Sequence, residues 1–164
     1  MANTQFPARV WPDMCAAYRD PALAQACLAL QQAFAVDVPL LLVLSLADRA
    51  GHGLTPAAVT QLTTSAAVWR EAVILPLRQA RQAMKLRFTA PAETALRDDI
   101  KRAELEAEHL HVLRLTLNLP PATGEAQAAR HYLKACGLTD DAADEFIETF
   151  GAAAKAQLER TDHE

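Results

Sequence analysis

Asp37-Val38-Pro39-Leu40-Leu41-Leu42-Val43-Leu44-Ser45-Leu46-Ala47-Asp48-Arg49-Ala50-Gly51-His52-Gly53 is the stretch on which the fold turns. Asp37 is placed to cap a helix. Pro39 falls in its first turn, where amide hydrogens have no intrahelical partner, and Gly51-His52-Gly53 supplies the stop. Between these signals Leu40 to Leu46 leave almost no polar face until Asp48 and Arg49. A helix that is apolar all round has to be surrounded by protein or by lipid. The apolar run Val38 to Ala47 is ten residues broken only by Ser45, half of what a bilayer requires. It therefore predicts the buried centre of a helical bundle.

Reading outward, the same cap-then-proline signal recurs. Asp20-Pro21 opens a helix with Leu23, Ala26, Cys27, Leu30 and Phe34 on one stripe. Thr55-Pro56 opens a long stretch toward Lys85, which Pro76 should kink or divide. A second long helix runs from Pro91 toward Leu119, where Pro120-Pro121 ends it. Gly124 to Cys136 and Thr139 to Leu158 read as two more. Ahead of them all, Trp11-Pro12-Asp13 leads a short helix to Tyr18. The stretch Leu113 to Leu119 alternates with period two, as Leu86-Arg87-Phe88 does, so a small strand pair competes there; helix is preferred because an isolated hairpin is marginal.

Composition agrees with this reading. Ala and Leu supply 58 of 164 residues against 11 Val and Ile and 5 Gly, which favours helix over strand. The expectation is an all-α, single-domain bundle of six to eight helices over residues 10–158, with a buried central helix and a proline-kinked long helix, a flexible arm over 1–9 and a frayed tail over 159–164. Cys15, Cys27 and Cys136 are odd in number and lack C-x-x-C spacing, as reduced thiols would, and no apolar targeting segment opens the chain. A cytoplasmic location is expected.

Four segments together resemble a family. They are Trp11-Pro12 with Tyr18; Cys27 to Gln32 leading into Asp37 to Leu42; Trp69-Arg70 with Pro76-Leu77-Arg78 and Arg81; and Glu104-Leu105-Glu106-Ala107-Glu108. The chain resembles, over about residues 10–112, short bacterial helical proteins grouped as a domain of unknown function. It departs from them at Pro39, where a polar residue such as Asn is expected. The resemblance implies a helical unit and brings no activity, substrate or cofactor.

Charge is polarised along the chain. Residues 1–53 sum to −1, 54–102 to +4 and 103–164 to −7, within a net −4. On an uninterrupted helix Arg70, Arg78, Arg81 and Lys85 share an arc of about 80°, beside an apolar stripe that includes Val59, Leu62, Ala66, Trp69, Val73 and Leu77. Trp69 and this cationic edge are the candidate partner- or anion-binding residues: Arg offers a planar fork matched to carboxylate and phosphate, and Trp with Arg is enriched at hot spots. The expected partner is a protein with an acidic surface. Nucleic acid is the second reading, and pairing of the stripe with the acidic last third of the same chain is the alternative to both.

Glu104, Glu108 and His111 fall within about 60° on the next helix and form a low-ranked metal candidate. Di-iron bundles use two Glu-x-x-His pairs plus two further glutamates, so one pair would need a homodimer or help from Asp144, Glu148 or His131. His109, toward Leu105 and Leu113, reads as a core or boundary residue. Two serines outside any G-x-S-x-G, and five scattered glycines without a phosphate loop, argue against nucleophile or nucleotide chemistry. No cofactor, no membrane partner and no catalytic residue is expected.

Overall fold

The computed structural model describes residues 6–158, and its elements are α1 (Phe6–Ala17), α2 (Pro21–Phe34), α3 (Val38–Arg49), α4 (Pro56–Trp69), a π turn (Arg70–Ile74), α5 (Leu75–Met84), α6 (Pro91–Leu117), α7 (Ala128–Ala135) and α8 (Asp140–Leu158). Taking α4, the π turn and α5 as one continuous helix gives seven, and no strand occurs among the described residues. The protein is all-α.

The capping signals act as chemistry requires. Asp20 Oδ1 accepts from the Ala22 and Leu23 amides, Asp37 Oδ1 from Leu40, Thr55 Oγ1 from Ala58 and Thr139 Oγ1 from Ala142. α3 is the centre: every residue from Val38 to Ala47 is buried except Pro39, with α1, α6 and α7 packed around it. Leu40, Leu41 and Leu44 are fully covered, each contributing about 1.5–3 kcal/mol of apolar burial. Ser45, the one polar break, returns its hydroxyl to the Leu41 carbonyl at 2.8 Å.

α3 also organises α7. Asp48 accepts from the Ala128 and Ala129 amides at 2.8 and 2.9 Å, capping that helix from a distant point in the chain. Burial pushes the Asp48 carboxyl above its usual range, with those two amides pulling the other way. This linkage explains why α7 starts at Ala128 and not at Gly124 as its sequence suggests. The Thr123 and Gly124 amides both donate to the Gly53 carbonyl, at 3.1 and 3.2 Å, so the chain there is held against another backbone. The approach is close enough that a Cβ on Gly53 would sit 2.0 Å from the Gly124 oxygen.

Three further departures have physical causes. α1 begins at Phe6, inside the stretch expected to be an arm, because Val10 is buried and Phe6 packs against the core; Pro12 lies within it. Residues 1–5 of that arm, and the tail 159–164, lie outside the described residues. Leu113 to Leu117 continue α6: Val112, Leu115 and Thr116 are buried while Leu113 and Leu117 are exposed, a helical pattern that overrides the period-two alternation. Leu86 and Arg87 form a turn.

The third concerns Pro76. A proline inside an α-helix lacks an amide hydrogen and its ring meets the carbonyl four residues back. Here the chain inserts a wide turn just before it, with the Leu75 amide bonded to the Arg70 carbonyl five residues back. The extra residue slips the helix register. Val59, Leu62 and Ala66 are buried as their spacing predicts, but beyond the slip Ile74 takes the core position in place of Val73.

α5 contains no buried residue, and the first buried residue of α6 is Glu104. α5 packs chiefly on α6 and the π turn. Leu75 to Arg102 therefore form a two-helix arm on the bundle, with its turn at the far end.

Candidate functional site

At the root of the arm, two arginines from α5 meet two glutamates from α6. Arg78 donates through Nε to Glu104 Oε1 at 2.8 Å and through Nη2 to Glu108 Oε1 at 2.7 Å. Arg81 donates to Glu104 through Nε at 2.5 Å and Nη2 at 3.3 Å. Glu104 is 6% exposed. Burial pushes its carboxyl up, but the hydrogen bonds and charges of Arg81 and Arg78 outweigh this and hold it below the usual range. Glu108 goes the other way: burial raises it, Glu104 and Asp37 raise it further, and Arg78 alone opposes them.

The cationic edge is thus divided. Arg78 and Arg81 are engaged by carboxylates one helix away. Arg70, on the other side of the register slip, donates to the carbonyl of Ala35 at 3.1 Å, a residue in the left-handed region at φ 52°. Trp69 is half-buried, with Nε1 donating to the Ala107 carbonyl at 3.0 Å and the Arg114 guanidinium 5.3 Å from its ring centroid. Lys85 is exposed at the far end.

The three metal candidates do not converge. Glu104 and Glu108 face the arginines, whereas His111, 1% exposed, turns Nε2 to Asp37 Oδ2 at 2.9 Å. Among the described residues no group of three or more His, Cys, Asp or Glu side chains is arranged to hold a metal ion. Asp37 is the junction of that buried cluster: its side chain caps α3 and meets His111, while its amide donates to the Tyr132 hydroxyl at 2.8 Å. Tyr132 was not legible as a partner because 95 residues separate it from Asp37. His109 sits at the boundary, stacked on Trp11 with ring centroids 4.3 Å apart.

Beside the root lies a cleft of about 280 Å³ lined by Trp11, Met14 and Cys15 of α1, Tyr18 in the turn after it, Gln31 of α2, Val38, Pro39 and Leu42 of α3, and Leu105 and Glu108 of α6. Its walls are mainly apolar. Its polar groups are Glu108, Gln31 and Tyr18, which no spacing in the sequence brings together, since they come from two helices and a turn.

The segments Trp11–Tyr18, Cys27–Leu42 and Glu104–Glu108 all meet at this cleft, and Arg78 and Arg81 buttress its Glu108 end. Residues 9–115 match the family described as proteins of unknown function, DUF2390. The chain belongs to this family. The DUF2390 match thus spans the arm, the root and the whole lining of the cleft, and stops two residues before α6 ends, leaving α7 and α8 outside it. No curated protein and no solved structure matches the chain. No helix of the described residues is long and apolar enough to cross a membrane.

Proposed function

We propose that this DUF2390 protein is a non-enzymatic helical interaction protein that docks an acidic protein surface through the free end of the α5–α6 arm. The observation that carries this reading is the turn at that end. Leu86 is 88% exposed and stands between Lys85 and Arg87, with Phe88 also exposed. Among the described residues neither Lys85 nor Arg87 makes an ion pair. Residues 75–102 carry seven basic and three acidic side chains; with Arg78 and Arg81 engaged by Glu104 and Glu108, five basic and three acidic remain, net +2, so the arm complements an acidic partner. An apolar tip ringed by cations gains most from a partner that covers the leucine and pairs the charges.

Direct nucleic-acid binding by the stripe is weaker on the same geometry. Arg78 and Arg81 would have to give up carboxylates at 2.5–2.8 Å before gripping phosphates. The working surface therefore moves from Trp69, Arg70, Arg78 and Arg81 to Lys85 and its neighbours.

The test is a photo-crosslinking residue placed at position 86 in the native host, with one at Glu148 on α8 as control. A discrete adduct from position 86 alone, to an acidic protein, and lost on Lys85→Glu with Arg87→Glu, is expected. An adduct indifferent to that charge reversal, or none, overturns the reading. An adduct to nucleic acid whose yield falls steeply with salt would establish the rival.

A further inference from the structure

We propose that the cleft between α1, α3 and α6 binds a small, largely apolar molecule carrying an amino group, which Glu108 receives. This goes beyond the arm: it concerns a different surface and a different kind of ligand.

The geometry of the carboxylate is the first argument. Glu108 Oε1 accepts from Arg78 Nη2, while Oε2 has no hydrogen-bond partner among the described residues. Gln31 and the Tyr18 hydroxyl, on the same cleft, likewise have none. An apolar hollow with a few convergent polar groups is the usual form of a small-ligand site, and the volume of about 280 Å³ suits a single ring with a short chain.

Local charge is the second argument and sets the ligand's sign. Glu104, Glu108 and Asp37 lie close enough for the first and last to disfavour ionisation of Glu108. Against them stand Arg78 and Arg81. A cation beside the unengaged Oε2 of Glu108 relieves the repulsion that Glu104 and Asp37 exert on it, and an anion there adds to it. The aromatic rings of Trp11 on α1 and Tyr18 in the turn after it add a surface that favours an ammonium over a neutral or anionic head.

The apolar body would rest on Trp11, Met14, Val38, Leu42 and Leu105. Of these, Leu105 is 56% exposed and stands at the rim, where a larger side chain can block entry without entering the core.

The experiment titrates the full chain with three molecules of one body: 3-phenylpropylamine, 3-phenylpropan-1-ol and 3-phenylpropionate. Shifts of the Trp11 indole and Met14 methyl resonances report binding, with the Trp69 indole as a remote control. The amine is expected to bind at least tenfold more tightly than the alcohol, and the propionate not at all. Glu108→Gln should remove the preference for the amine, and Leu105→Trp should abolish all binding while leaving the remaining spectrum native. Equal affinity for amine and propionate, or no shift at Trp11 and Met14 with millimolar amine, overturns the proposal. The wild-type series decides this even if a variant fails to fold.

Discussion

Replacing Arg78 by Met keeps the length of the side chain and removes its charge, and the structure sets the cost. Arg78 makes two charge-assisted hydrogen bonds, at 2.8 and 2.7 Å, with only 14% of its side chain exposed. Bonds to charged groups contribute about 1.5–3 kcal/mol each. Glu104 keeps Arg81 and so is half compensated, whereas Glu108 loses its sole cation but keeps a quarter of its surface in water. The expected loss is about 3 kcal/mol, or roughly 6–12 °C in Tm for a chain of this size. Arg102→Met removes an ion pair with Asp99 in which both side chains are mostly exposed, and should cost no more than about 0.5 kcal/mol. Because Glu108 already titrates high, protonating it relieves the unpaired charge, so the penalty of Arg78→Met should be smaller at pH 5 than at pH 8. Denaturant unfolding at both pH values measures this, and amide exchange over residues 75–84 reports whether the arm opens first. Equal costs for the Arg78 and Arg102 variants, or a penalty that grows toward pH 5, would refute the reasoning.

Asp48→Ala leaves the Ala128 and Ala129 amides, both in buried residues, without an acceptor; a loss of about 2–4 kcal/mol is expected in denaturant unfolding. Glu108 and Asp48 both titrate above their ordinary values in the folded chain, chiefly through burial. Stability should therefore rise as pH falls through their folded pKa values toward the normal carboxylate range, and Glu108→Gln should flatten that rise in an unfolding series from pH 8 to pH 4. Cys27 is fully buried with its thiol pushed up to about 12, while Cys15 is exposed, its thiol raised by partial burial; a thiol reagent at pH 8 should label Cys15 in the folded chain and Cys27 only as the chain unfolds. Leu86→Ser at the arm's tip should leave Tm within about 1–2 °C, since exposed positions change stability by under about 0.5 kcal/mol.

The fold was legible because its strongest signals are local. Asp20, Asp37, Thr55 and Thr139 each cap the helix that follows them in sequence, and the apolar run after Asp37 has nowhere to lie but the interior. What escaped the sequence depends on contacts across the chain. Asp48 looks like the polar end of α3, yet it caps α7, and only the tertiary fold brings the Ala128 amide to it. Gly53 reads as a helix stop, and its closer constraint is the backbone of Gly124 lying against it.

The site shows the same division with a sharper consequence. A stripe computed from uniform helical phase placed Arg70 with Arg78 and Arg81; the π turn adds one residue between them and sends Arg70 to Ala35, in α2's wake, and the other two to α6. Pro76 signalled that something must yield, but the choice between a kink and a slipped register rests on packing, here on Ile74 reaching the core. The slip also decides what the arginines are for. Facing Glu104 and Glu108 they pair with one buried and one half-buried carboxylate and fasten the arm to the bundle, which takes them out of the surface and leaves two features exposed on either side of that fastening. One is the arm's basic, apolar tip at Leu86. The other is the unengaged oxygen of Glu108 in the cleft. Because Arg78 holds Oε1 of Glu108, an amine seated in the cleft would take Oε2 and share the carboxylate with the guanidinium, so the fastening of the arm and the proposed site use opposite edges of one side chain.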